Sequence, residues 1–269
     1  MSKLISALSF SVLLVLTSCQ NYEEAGYADT SDLGISKFAG STLEYLQSGD
    51  EKLSLKFDSM MKVMNGIPDF KTLFDDGTKH TIFAIPDTCF RKVITTLNLY
   101  RKNNSLGKNV YLDDLLVKPF TVKRTIEQEP PFEPIITYRK YDYRAGLDTL
   151  LCRYIFDGIY DSERISENEG QMNVESYRYA YPMNVSSGRY SAGGVVGGGS
   201  RVFSISDTNN SQLKDNWSTT PVMWQDIYTN DGIVHVLSIG HEFGFDEFVS
   251  HFKNRYNELK DENDEIVEE

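Results

Sequence analysis

A buried strand has to stop where the next residue cannot donate to a ladder, and residues 81–90 meet that condition. They read Thr81-Ile82-Phe83-Ala84-Ile85-Pro86-Asp87-Thr88-Cys89-Phe90. Ile82, Phe83 and Ile85 make a β-prone apolar run. Pro86 has no N–H to give a sheet, and the Asp87 carboxylate can accept backbone N–H bonds at the start of a helix. Cys89 and Phe90 then offer that helix an apolar pair, so the stretch predicts a buried strand turning directly into a helix. A second stretch, Thr229–Ile239, opens on the turn residues Asn230-Asp231-Gly232 and continues as Ile233-Val234-His235-Val236-Leu237. Its β-branched run behind a turn predicts another strand.

At 269 residues the chain has room for one large domain or two small ones, and 40% hydrophobic content can build a core. With 39 acidic and 27 basic side chains its formal charge is −12. A nucleic-acid phosphate backbone needs a dense Lys/Arg face, which the sequence lacks, so no nucleic-acid partner is expected. Lys3 precedes the apolar run Leu4–Leu16. As a helix that run spans about 20 Å, short of a ~30 Å hydrocarbon core, which predicts a cleaved leader over residues 1–18. Leu16-Thr17-Ser18-Cys19 resembles a bacterial lipobox. The resemblance implies cleavage before Cys19 and acylation of that residue, hence an expected outer-membrane lipoprotein, exposed at the cell surface if the acidic residues that follow act as an export signal. Gln20-Asn21-Tyr22-Glu23-Glu24 reads either as an acidic surface-export signal or as part of a polar tether over residues 19–34.

Thr81, Phe83, Ala84, Asp87 and Phe90 fall on the first signature of the fasciclin domain, an extracellular adhesion module, and Gly232, Ile233, Val234, His235 and Val236 fall on the second. A third family pattern, Leu-Leu-x-Tyr-His followed by two apolar residues, any residue and Gly, is similar to Leu150–Gly158, with Arg153-Tyr154 in place of Tyr-His. The chain therefore resembles that family over roughly residues 41–245. The resemblance implies an α+β fold, a fasciclin-like β-sandwich wedge with N-terminal helices, two long insertions and a C-terminal helix, in a single domain over residues 35–260. It implies structural roles for Thr81, Phe83, Asp87, Phe90, Tyr154, Gly232 and His235, with His235 a packed core histidine. The replaced Tyr-His puts in doubt the integrin binding tied to that region in animal members.

Along the chain, Ser41 caps a short helix carrying Thr42, Leu43, Tyr45 and Leu46. Leu53, Phe57, Met60, Met61 and Met64 recur at helical steps and predict an amphipathic core helix. Phe70–Phe74 suggests another turn, Lys92–Tyr100 continues the helix after Phe90, and Tyr111–Val117 reads as short helix. The first insertion, residues 118–143, holds two β-like runs around Pro130, Pro131 and Pro134, hence a hairpin with an irregular tip. Leu147–Phe156 predicts a helix passing into a strand. The second insertion, residues 161–223, contains alternating runs Val174–Tyr179 and Arg201–Ser206, separated by a Gly-rich turn over residues 193–200. Both insertions are expected as embellishments on the surface of the wedge. Phe248, Phe252 and Tyr256 share a face and predict a docked helix over Phe245–Leu259. Acidic residues 261–269 are expected to be disordered.

The sequence offers little for catalysis or cofactors. His80, His235, His241 and His251 lack the spacing of a zinc site, and there is no Cys pair or nucleophile elbow. Asp207–Ser211 begins like a calcium loop, but Gln212 replaces its Gly and Ser218 its Glu. The Gly run lacks the Lys-Ser/Thr of a phosphate loop. No metal, cofactor or enzyme activity is expected. Cys89 and Cys152 lie among apolar residues, as free thiols or as a disulfide. Aromatics in and beside the insertions, chiefly Trp217, Trp224, Tyr177 and Tyr179, can stack on sugars or anchor a protein interface. The same rings could instead cover an enlarged core. Two binding functions remain in view: adhesion to a protein ligand, or glycan capture beside a polysaccharide-uptake assembly.

Overall fold

The two apolar runs lie side by side in the computed structural model. It describes residues 36–267 except 69, 75–76, 169, 190–192, 197 and 200. Expectations for the leader, Cys19 and the tether lie outside the described residues, as do Gly197 and Ser200 of the Gly-rich run. In chain order the elements are β1 Ser36–Lys37, α1 Thr42–Ser48, α2 Asp58–Gly66, β2 His80–Ala84, α3 Asp87–Asn103, α4 Leu112–Leu115, β3 Phe120–Ile126 and β4 Ile135–Tyr141. There follow α5 Tyr143–Leu151, β5 Ile155–Asp157, α6 Ser162–Glu167, β6 Gln171–Glu175, β7 Pro182–Arg189, β8 Arg201–Asp207, β9 Ser218–Tyr228, β10 Gly232–Leu237, α7 Phe248–Phe252 and β11 Glu265–Val267. Helices and sheets are thus mixed along the chain.

β2 and β10 are parallel neighbours, with Thr81 opposite Ile233 and Phe83 opposite His235. Every residue of both strands is buried. The larger sheet runs β5-β2-β10-β9-β8-β7-β6, with β1 added to β9. Phe83 lies at its centre, packing on Phe156, Phe203 and His235 at ring separations of 5.7, 5.9 and 5.0 Å. Its backbone turns at Pro86 into α3, which buries Cys89, Phe90, Val93 and Leu97. Gly232 opens β10 where a Cβ would stand 2.4 Å from the His80 carbonyl oxygen, so the close approach of the strands requires glycine.

The second insertion corrects the expectation of a surface embellishment. It supplies β6, β7, β8 and the start of β9, and so extends the main sheet itself. Its first strand ends at Glu175 rather than Tyr179, because Tyr179 and Ala180 take left-handed backbone at φ 67° and 45°. α2 starts at Asp58, later than the Met periodicity suggests. Asp87 does not cap α3: its carboxylate reaches back to accept the Ser59 N–H in the first turn of α2, at 2.7 Å. The expected helix Phe245–Leu259 shrinks to α7, since Phe245 and Tyr256 are left-handed at φ 54° and 69°. Phe248 and Phe252 are nevertheless buried. Of the acidic tail expected to be disordered, residues 261–267 are described: β11 pairs with β3, and Asp264 grips Arg124 at 2.7 Å. Together β11, β3 and β4 form a second, three-stranded sheet.

Gly232→Ala should lower stability by about 1–3 kcal/mol, since overpacking at a backbone contact moves a strand. Urea denaturation checks this; a midpoint equal to wild type would show that β2 and β10 are not so closely apposed.

Candidate functional site

The site begins with a charge in the core. A turn of 3-10 helix over Cys152–Tyr154 carries α5 into β5 and leaves Arg153 only 2% exposed. Its guanidinium meets Asp207 and Glu247 at 2.6 Å each and lies 3.9 Å from the Tyr181 ring. Burial works against the Arg153 charge, but Glu247 and Asp207 outweigh it and hold its pKa above the ordinary value. Burial likewise pushes Glu247 up, and the bond to Arg153 more than offsets this, leaving it below the usual carboxylate range.

Asp207 ends β8, and its other carboxylate oxygen accepts the Asn209 N–H at 2.8 Å and the Tyr181 hydroxyl at 3.1 Å. That bond starts the loop to β9. Asn209 and Asn210 then turn it through left-handed backbone, which asparagine tolerates better than most residues. Ser211 takes the Trp217 Nε1–H on its carbonyl at 2.8 Å, so the ring N–H is used inside the loop, and the Lys214 ammonium lies over the ring at 5.7 Å from its centre. Trp217 is half-buried.

The indole borders a cleft of about 700 Å³, within the ~300–1,000 Å³ common for small-ligand sites. Gln171 and Asn173 of β6, Asn184 of β7, and Asn210 and Gln212 of the loop surround it with side-chain amides. Asn173 and Asn184 stand opposite each other across two strands, and the Asn184 amide donates to the Asn173 oxygen at 2.8 Å. Asn184 is buried, so of the pair it is Asn173 that keeps a donor toward the cleft. Lys214 donates to Gln171 at 2.6 Å, tying the loop to β6.

The four aromatics singled out in the sequence do not converge. Trp224 on β9 packs against the core, its Nε1 3.4 Å from the Ser36 hydroxyl. Tyr177 packs edge-on to His80 at 5.7 Å. Tyr179 is 61% exposed, but its hydroxyl is held by Asp148 on α5 at 2.7 Å. Of the residues given structural roles, Thr81 donates to the Gly158 carbonyl and accepts the Tyr160 N–H. Phe90 stacks on Phe243 at 4.5 Å. His235 is wholly buried between the Asp226 N–H on Nδ1 and the Tyr160 carbonyl on Nε2. Tyr154 is also wholly buried: its hydroxyl accepts the Gly244 N–H and so has its own proton to give His241 Nε2, at 2.7 Å. Cys89 and Cys152 are both buried and free. Sequence reasoning missed the Arg153 network, whose one visible signal is an arginine inside an otherwise apolar run.

His241 lines a smaller cleft of about 470 Å³ with Ser218, Asp246 and Phe245. Burial, reinforced by Lys92, lowers its pKa from 6.5 to about 3, so it stays neutral beside Tyr154. The unfolded chain takes up a proton below about pH 6.5 that the folded chain refuses, so this contribution is full above that pH and is lost as pH falls toward 3. Stability should therefore drop between pH 6.5 and 4.5, with His235, also lowered by burial, sharing the effect. His241→Gln should melt lower than wild type at pH 7 yet show a shallower fall across that window; parallel curves would assign the fall elsewhere. Asp207→Ala, which strands the Arg153 charge in the core, should cost about 3–5 kcal/mol in chemical denaturation. A cost below about 1 kcal/mol would mean that water reaches the guanidinium.

No protein-family model matches this chain, and no curated protein matches it. Among solved structures it is similar to a FAS1 domain pair from the insect cell adhesion molecule Fasciclin I, described as a novel fold, with 14% sequence identity and a TM-score of 0.38. That match covers 70% of this chain and 45% of the other, so this chain spans less than half the length of the insect domain pair.

Proposed function

We propose that this chain is a non-catalytic, lipid-anchored binding protein of the outer membrane, exposed at the cell surface. Its fasciclin-like wedge presents a carbohydrate-binding cleft. The Trp217 cleft carries the choice of ligand. An indole with its N–H already satisfied gives a sugar ring a flat apolar platform, and surrounding amides can donate to and accept from neighbouring hydroxyls. The fasciclin-like reading is supported by its two signature stretches, which pair residue for residue in β2 and β10. The anchored reading is supported by Cys19 directly after an apolar leader. The non-catalytic reading is favoured because His235 and His241, both buried, are engaged in hydrogen bonds that hold the core.

Affinity electrophoresis against a panel of bacterial, plant and host polysaccharides tests the ligand. Wild type should be retarded by at least one of them. Trp217→Ala should weaken binding by about tenfold, or roughly 1.4 kcal/mol, and Trp224→Ala should leave it intact. Retardation by none of the panel would overturn the glycan reading in favour of a protein ligand. Fractionation tests the anchor: Cys19→Ala should move the chain out of the membrane pellet, and a variant still sedimenting with membranes would rule the anchor out.

A further inference from the structure

The smaller cleft, beside His241, lies between the start of β9 and the segment that follows β10. It holds about 470 Å³, is lined in part by Ser218, Thr220, His241, Glu242, Phe245 and Asp246, and shares no lining residue with the Trp217 cleft. His241 is 6% exposed and Thr220 4%. The Tyr154 hydroxyl gives its proton to His241 Nε2, so the neutral imidazole carries its own proton on Nδ1. Phe245 stands edge-on to the imidazole at 4.8 Å and stacks on Tyr154 at 5.4 Å, which fixes the direction of that N–H.

Neither His241 Nδ1 nor Thr220 Oγ1 has a hydrogen-bond partner among the described residues, and neither atom is sealed from solvent. A polar atom on so deeply buried a residue ordinarily finds its partner inside the protein. Both residues line this cleft, so the cleft is where an outside partner reaches them. Carboxylates share the lining. Lys92 stands 3.5 Å from Glu242 and takes up part of its charge. Asp246 is exposed and forms no ion pair among the described residues; its carboxylate is met only by the Ser218 hydroxyl.

We propose that this cleft binds a small hydroxylated primary amine, an amino sugar or an amino alcohol, with its ammonium on Asp246 and a hydroxyl oxygen on His241 Nδ1–H and Thr220. The unpaired carboxylate selects the cation, because an ammonium gives it a charge-assisted bond stronger than any a neutral hydroxyl can give. The two unpartnered groups select the oxygen, since an analogue without it would bury them unmet. A second acidic side chain in the lining disfavours a carboxylate on the ligand, so free amino acids fit the cleft less well.

Titration calorimetry of the full chain, joined to nitrogen NMR of its imidazoles, tests this. The probes are D-glucosamine and ethanolamine, each with a control: glucose lacks the ammonium and propylamine lacks the hydroxyl. At least one amine should bind about tenfold more tightly than its control, and more weakly as salt rises from about 0.05 to 0.5 M. Glucosamine alone would identify a sugar as the source of the ligand, and ethanolamine alone an amino-alcohol headgroup. The His241 Nδ1 resonance should move on binding, which general attraction to an acidic surface would not produce. Asp246→Asn, which keeps an acceptor for Ser218, and Thr220→Val, which keeps the shape of the side chain, should each weaken binding about tenfold. Because Asp246 is exposed, its variant should melt like wild type, so its loss of binding would not be a folding defect. Binding of neither amine at tens of millimolar, or equal binding of amine and control, would overturn the proposal. So would binding that is lost with Trp217→Ala but kept with Asp246→Asn.

Discussion

The position of Arg153 in the core governs much of what surrounds it. A guanidinium 2% exposed is costly to desolvate and persists only if carboxylates meet it with good geometry. Asp207 and Glu247 do so from two later segments of the chain, one from the end of β8 and one from the segment before α7. The pair therefore fixes three chain segments against one another. Replacing such a network with apolar residues can leave a protein as stable or more so, which makes specificity, rather than net stability, the better account of it. A slip of β8 by one residue would turn Asp207 to the other face and strand the charge.

This constraint reaches the cleft through one side chain. One oxygen of Asp207 faces Arg153, and the other accepts the first backbone N–H of the turn that leads to Trp217. The loop itself is polar and surface-lying, the kind of segment that ordinarily varies and moves. Here its start is pinned to the core, its middle to the indole through Ser211, and its far side to β6 through Lys214. A binding face on a loop acts as a fixed surface only when such anchors remove its freedom before the ligand arrives, since ordering on binding would weaken affinity.

The parts of the fold legible in the sequence are those decided by local pattern. Thr81–Phe90 shows its strand, its proline stop and its helix because each residue's own chemistry makes the choice. The hairpin flanking three prolines, and the helix passing into a strand at Leu147–Phe156, are visible for the same reason. Where tertiary partners decide, the sequence misleads. Asp87 has the chemistry of a cap, but its oxygen bonds a neighbouring helix that chain order does not reveal. Residues 245–259 have a helical stripe, yet the Tyr256 hydroxyl bonds Asp114 and its backbone turns left-handed, ending any helix. The acidic tail looks disordered until Arg124, distant in sequence, offers Asp264 a partner. Of the four aromatics, composition could not separate Trp217 from Trp224, since only packing distinguishes a ring beside a cleft from one against the core.

The insertions differ in how they relate to the core, and that difference bears on what each can do. The second inserts strands into the main sheet, so its cleft inherits the rigidity of β8 and β9, whose inner residues are buried. The first stays outside that sheet and is held by the pairing of β3 with β11 and by the bond from Tyr143 to Glu258 at 2.6 Å. Residues 126–140 are exposed along its length. A concave surface tied to a buried ion pair suits selection of a small rigid ligand, because its shape is set in advance. Each surface follows from whether its insertion joined the main sheet or stayed outside it.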